Sequence, residues 1–255
     1  LMLKHTAWGV GDGRRKNRNK ICEQIHKIVE EMTPERWFEP ALDYYIESYP
    51  RLVRKAFSIT RRRAWTGKLV VEYVASLFAK KEDRWMSRAD GRCNINHEVA
   101  AKLADALNKF DRSDEALHSL VELASQLVND SMVGGSKFLH FCLPGFYAVT
   151  DQFMRLVSAV PPRDPRVHAA RREAEYYRTY MAALCLVEKK YAQLAMQWAK
   201  KVFGYRVTRI RAIEAFVFYH VREFDYGRLP VLQHIMGRPP RYAGLKKSKY
   251  ACLDR

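Results

Sequence analysis

The chain has 255 residues, 48% of them apolar and 12% aromatic, which excludes a disordered or fibrous polypeptide and allows one large folded domain. Its 45 Lys and Arg outweigh 28 Asp and Glu, for a net charge of +17, so the expected partner is a polyanion, nucleic acid before an anionic membrane. Five scattered cysteines form no Cys-x-x-Cys pair and eight histidines show no ligand spacing, which argues against a disulfide framework and against a metal site.

The basic groups gather at the ends. Residues 1–68 carry 15 basic and 8 acidic groups, residues 69–199 carry 17 and 16, and residues 200–255 carry 13 and 4. No run has the length and apolarity of a membrane span and no signal peptide is visible. The expectation is a cytoplasmic monomer with no membrane partner and no cofactor.

Helical periodicity runs through the chain and strand signals are nearly absent, so the expected fold class is all-α, a compact multi-helix globule. "TPERWFEPALDYYIES" offers Thr33 as N-cap and Pro34 at the first helical position. Arg61, Arg62 and Arg63, followed by Trp65, read either as a phosphate clamp with a stacking wedge or as a solvated charge run. "INHEVAAKLADALNKF" places Val99, Leu103, Leu107 and Phe110 on one face. "DEALHSLVELASQLV" offers Asp114 as cap and buries Leu117, Leu120, Val121, Ala124, Leu127 and Val128. A long helix is predicted to start at Asp164-Pro165, with Ala170, Ala174, Tyr177, Met181 and Leu184 as its stripe. Tyr176, Tyr177 and Tyr180 crowd that helix, where core packing is favoured over base stacking. A further helix near 208–224 buries Ile210, Ile213, Val217 and Val221, and residues 225–255 read as a basic C-terminal arm behind a single domain over 1–224.

The densest chemistry lies in "MVGGSKFLHFCLPGFYAVTDQF", residues 132–153. The preceding helix is predicted to end at Asn129-Asp130-Ser131, with Gly134 and Gly135 supplying a tight turn and a second helix beginning near Ser136. That is a helix, a glycine hairpin and a helix within 114–160. Backbone amides of Val133, Gly134, Gly135 and Ser136 could then approach a phosphate, with Lys137 in the first turn beside it. A side chain at Gly135 is expected to lower DNA affinity and leave the fold intact. Pro144 and Gly145 stop the second helix, and the chain crosses to Asp151 at the head of the next. Asp151 also reads as a plain N-cap, Lys137 as a solvated phosphate contact, and His140 as a core histidine before a general acid. No second carboxylate is visible near them in sequence.

Gly135-Ser136-Lys137, an extended crossing and Asp151 in "AVTDQFMRLV" resemble the helix-hairpin-helix DNA glycosylase superfamily, whose hairpin reads G-V-G-x-K and whose aspartate segment reads P-V-D-x-x-V. The likeness covers about twenty residues and fits best a divergent branch, such as the bacterial anti-phage glycosylases that remove glucosylated hydroxymethylcytosine. The resemblance implies that Asp151 stabilises the cationic sugar as the base leaves and activates the attacking group. It implies that Lys137 is the amine in members that also cleave the backbone at the abasic site. Lys137 and Asp151 stand fourteen residues apart, about one helical turn closer than the family pattern, so hydrolysis is expected, with Lys137 as an orienting contact.

Independently of that resemblance, one fixed carboxylate near C1′ is the minimum device for breaking an N-glycosidic bond, and the target base must first leave the stack. The expected partner is double-stranded DNA with a flipped modified base. Two other readings stand: a non-catalytic helix-hairpin-helix DNA-binding module, and a nuclease, which would call for a metal-binding carboxylate cluster.

Overall fold

The computed structural model describes Trp8 and residues 12–40, 44–78, 94–158 and 169–241. Among these residues there is no β-strand, and Ile95 and Val128 form an isolated antiparallel bridge. The fold is all-α, and no helix among the described residues is long and apolar enough to cross a membrane.

The first helix, α1 (Asp12–Glu31), buries Ile21, Ile25, Ile28 and Val29 at helical spacing. The helix predicted from Thr33 does not continue. Thr33 is the extended N-cap of a 3₁₀ turn, Pro34–Arg36, and the chain stays irregular to Pro40, which disfavours helical geometry at the residue before it. Helix α2 (Tyr44–Arg61) begins beyond it and turns Tyr49, Leu52 and Ala56 inward. Then come α3 (Gly67–Phe78) and α4 (His97–Asn108), the latter capped by Asn96, which accepts from the Val99 amide at 3.1 Å. Phe110, expected on the face of α4, lies beyond its end and meets Phe146 edge-on at 5.6 Å.

Helix α5 (Asp114–Leu127) is capped by Ser113, whose Oγ accepts from the Ala116 amide; Asp114, expected as the cap, is its first helical residue. The turn that follows uses Asn129 and Asp130 at φ of 52° and 48°, the left-handed region that these two residue types tolerate best after glycine. Helix α6 (Met132–Cys142) starts at once. A buried crossing over Tyr147–Thr150 leads to α7 (Gln152–Ser158).

Helix α8 (Ala169–Phe203) has 35 residues, about 52 Å of rise. Its predicted stripe of Ala170, Ala174, Tyr177, Met181 and Leu184 is buried; the Asp164-Pro165 start lies outside the described residues. Gly204, at φ 69°, ends α8, and Thr208 caps α9 (Arg209–Asp225). α9 is buried on nearly every side and packs on α8, α7 and α1. The sequence expected as a basic arm is docked as far as Arg238. A 3₁₀ turn (Pro230–Leu232) and α10 (Gln233–Met236) bury Leu232 and Ile235, and Arg238 pairs with Asp225 at 2.7 Å. The remainder, 242–255, lies outside the described residues.

Candidate functional site

The glycine pair is not the turn. Gly134 and Gly135 lie inside the first turns of α6 and both are buried; the turn before α6 lies five residues earlier, at Asn129 and Asp130. A Cβ on Gly135 would fall 2.2 Å from the carbonyl oxygen of Ala124 on α5. The glycine is there because two helix backbones meet, not because φ is positive.

Of the amides expected to hold a phosphate, Val133 N–H donates to Ser131 Oγ and Gly135 N–H to Ser131 O, each at 3.3 Å. The preceding Met132 N–H donates to Glu173 Oε2 at 2.9 Å. Glu173, from α8, thus sets a carboxylate at the positive end of the α6 dipole, where the phosphate was expected, and pairs with Arg155 as well. Ser136 is buried, and its Oγ accepts from the Thr150 amide at 3.0 Å. Gly134, Gly135 and Ser136 therefore build the site from within and present no surface to DNA.

Side chains fix the crossing between α6 and α7 carbonyl by carbonyl. His140 Nδ1–H donates to Tyr147 O at 2.6 Å, Tyr177 O–H to Ala148 O at 2.6 Å, and Tyr180 O–H to Val149 O at 3.2 Å. Tyr176 O–H meets Thr150 Oγ1 at 3.2 Å. An irregular buried segment needs such partners for its backbone, which accounts for the tyrosine cluster of α8. His140 is fully buried, and burial holds its pKa at about 3. Its Nδ1 faces a carbonyl, which only accepts, so Nδ1 carries the hydrogen and Nε2 accepts from Tyr49 O–H at 2.7 Å. This histidine is a strut.

The crossing delivers Asp151 to the head of α7. Its Oδ1 accepts from the Phe153 amide at 2.8 Å and the Met154 amide at 3.0 Å, so Asp151 is an N-cap with a fixed carboxylate. Lys137, one and a half turns into α6, is buried and close enough for each group to shift the other's proton equilibrium. Burial lowers the Lys137 pKa, against the pull of Asp151 and Glu214. Burial raises that of Asp151, against Lys137 and the two amides.

Two residues the sequence reading missed complete the cluster. Glu214 and Arg211, one turn apart on α9, form a buried ion pair. Burial raises Glu214 to about 7 despite Arg211, while Glu214 keeps Arg211 charged against the same burial. The Arg211 guanidinium stands 5.0 Å from the Tyr49 ring. Glu214 acts on both Asp151 and Lys137, so a second carboxylate does stand near Asp151. The signal available in sequence was an Arg-x-x-Glu pair set inside the apolar run of α9, since buried charges are retained only where they are paired.

Arg61 ends α2 and Arg62 and Arg63 form the turn after it, all three exposed. They lie at least twelve residues, about 18 Å of rise, from Tyr49, where α2 touches the cluster. Trp65 is buried and donates to Thr60 Oγ1 at 2.8 Å, so it is not a wedge. Comparison of the chain with protein-family models, curated proteins and solved structures finds no match.

Proposed function

We propose that this chain is a DNA glycosylase that hydrolyses the N-glycosidic bond of a modified base and leaves an abasic site. The observation that carries the reading is the Asp151 carboxylate, aimed by the Phe153 and Met154 amides, with Lys137 near enough to favour its charged form. As the base departs, positive charge grows on the deoxyribose. A carboxylate already held in place stabilises that charge without reorganising at the moment of reaction. Asp151 is half-buried and Lys137 is buried, so a flipped nucleotide would reach Asp151 first. Lys137 keeps Asp151 from drifting further towards its neutral acid. The likeness in sequence extends the proposal to glucosylated hydroxymethylcytosine in phage DNA as the base, and to duplex DNA bound by a monomer in the cytoplasm.

One observation favours a second activity at the same site. Burial lowers the Lys137 pKa, which enlarges the fraction of neutral amine able to attack C1′ and then cleave the backbone as an abasic-site lyase. A non-catalytic binding module would show neither activity. The deciding experiment incubates the protein with phage genomes of known base modification and identifies the released bases by mass spectrometry. Release by the wild type that disappears in Asp151→Asn supports the proposal, and binding without release overturns it.

A further inference from the structure

The outer side of α2 combines cations with one exposed ring. Between Arg51 and Arg63 the chain has six basic residues and no acidic one. Because Tyr49, Leu52 and Ala56 face the core, Arg54, Phe57 and Arg61 emerge together, at spacings of three and four that place them on one face. Phe57 is 47% exposed and is the one large hydrophobic side chain among the described residues in that state. No carboxylate among the described residues pairs with Arg54 or Arg61. Arg62 donates through Nε to Ser58 O at 3.2 Å, which lays a further guanidinium along the same helix.

A lone exposed phenylalanine is ordinary on a protein surface; one flanked by two unneutralised guanidiniums is selective about its partner. A second copy of this face would bring like charges together. An apolar partner would cover the ring and leave the arginines without anions. A nucleic-acid strand supplies phosphates for the cations and a flat base for the ring. We propose that the outer face of α2 is a strand-binding ridge, on which Arg54 and Arg61 hold phosphates of one strand and Phe57 stacks on an unpaired base between them. Arg54 and Arg61 are seven residues apart, about 10 Å of rise, close enough for both to reach phosphates of one strand on either side of an unpaired base. Phe57 lies eight residues, about 12 Å of rise, from Tyr49, the α2 residue that touches the cluster through Arg211. The ridge requires no chemistry at Lys137 or Asp151.

The test is fluorescence anisotropy of the full chain with a labelled oligothymidylate and with a fully paired duplex of equal length, over a series of salt concentrations. Phe57→Ala weakens oligothymidylate binding roughly 5- to 100-fold with its log–log salt slope unchanged, weakens duplex binding less, and is rescued by Phe57→Trp. Arg54→Gln and Arg61→Gln each make the oligothymidylate slope shallower by about 0.7. Wild-type affinity in Phe57→Ala overturns the stacking role, and unchanged slopes in both arginine variants overturn the phosphate contacts. If sedimentation shows that Phe57→Ala abolishes self-association while oligothymidylate affinity is kept, the occupant is a second copy and the proposal is wrong. Base release is measured separately, so failure of the ridge is distinguishable from failure of the glycosylase reading.

Discussion

Gly135 and Ala124 meet backbone to backbone: a Cβ at position 135 would stand 2.2 Å from the Ala124 carbonyl oxygen and 2.7 Å from its carbonyl carbon. The atoms in the way belong to a helix, so no rotamer change relieves the clash. Gly135→Ala is expected to destabilise the protein by about 3 kcal/mol or more, at or beyond the top of the usual overpacking range. The measurement is chemical denaturation, with DNA affinity determined where the variant is still folded. Loss of stability with affinity retained in the folded fraction is the expected outcome, the reverse of what the sequence suggested for this glycine. A variant as stable as the wild type would show that α5 and α6 do not approach so closely.

Asp151→Asn separates shape from charge. Asparagine caps a helix about as well as aspartate, so the Phe153 and Met154 amides keep an acceptor and the thermal midpoint should move little. The negative charge is lost, and base release should fall roughly 10²- to 10³-fold, while DNA binding persists or tightens because the transition state alone loses its partner. Single-turnover kinetics alongside a binding titration reads both. Full activity in this variant would remove Asp151 from the mechanism.

Apolar periodicity made the helix faces legible: Leu117, Leu120, Val121, Ala124 and Leu127 on α5 and Ala174, Tyr177, Met181 and Leu184 on α8 are buried as their spacing predicts. The glycine pair was not legible, because glycine serves both a positive φ and a close helix crossing. Only Ala124, eleven residues away in sequence, decides between them at Gly135. Asn129 and Asp130 carried the real turn signal. Asp151 could be found because a cap stands at a helix boundary, which sequence marks. Glu214 and Arg211 lie some sixty residues further on and reach the cluster through the packing of α9, which no local pattern encodes. Likewise Glu173 meets the start of α6 only because α8 passes it.

Three buried groups should give the stability–pH curve an unusual shape. Burial holds His140 at about 3 and His220 at about 4, against 6.5 in an open chain. As pH falls below 6.5, the unfolded chain takes up two protons that the folded chain refuses, so their contribution is full above 6.5 and is lost on acidification. Glu214 has the opposite sign. It is raised from 4.5 to about 7, so between those values the folded chain holds a proton that the unfolded chain has released, and stability falls as pH rises. Denaturation midpoints from pH 4 to pH 8 should therefore climb more steeply between about 4.5 and 6.5 in Glu214→Gln than in the wild type. Above pH 7 the variant should be more stable relative to the wild type than it is below pH 4.5, because the buried ionised carboxylate, whose burial Arg211 offsets only in part, is gone. Parallel curves for the two proteins would place Glu214 outside the buried cluster.

If the chain is the glycosylase proposed above, Lys137 decides how the sugar is attacked. Were it the nucleophile, its neutral amine would bond to C1′ as the glycosidic bond broke and the departing base took a proton; the C1′–O4′ bond would then break, O4′ leaving as a hydroxyl with the proton from the amine, to give an imine that borohydride reduces to a stable protein–DNA adduct. Hydrolysis leaves an intact abasic site and nothing to trap. Burial lowers the Lys137 pKa and the two carboxylates beside it, Asp151 and Glu214, offset that only in part; but Lys137 is buried where Asp151 is half-exposed, so hydrolysis is the expected route and the wild type should give no adduct. Lys137→Ala should then retain measurable base release, with a second signature. Without its cation Asp151 binds its proton more tightly, and since the carboxylate must be ionised, the rising limb of the pH–rate profile should shift to higher pH. A structural role for Lys137 would lower the rate at every pH and leave that limb in place. A borohydride adduct in the wild type that vanishes in Lys137→Ala would instead make Lys137 the nucleophile and the enzyme a lyase.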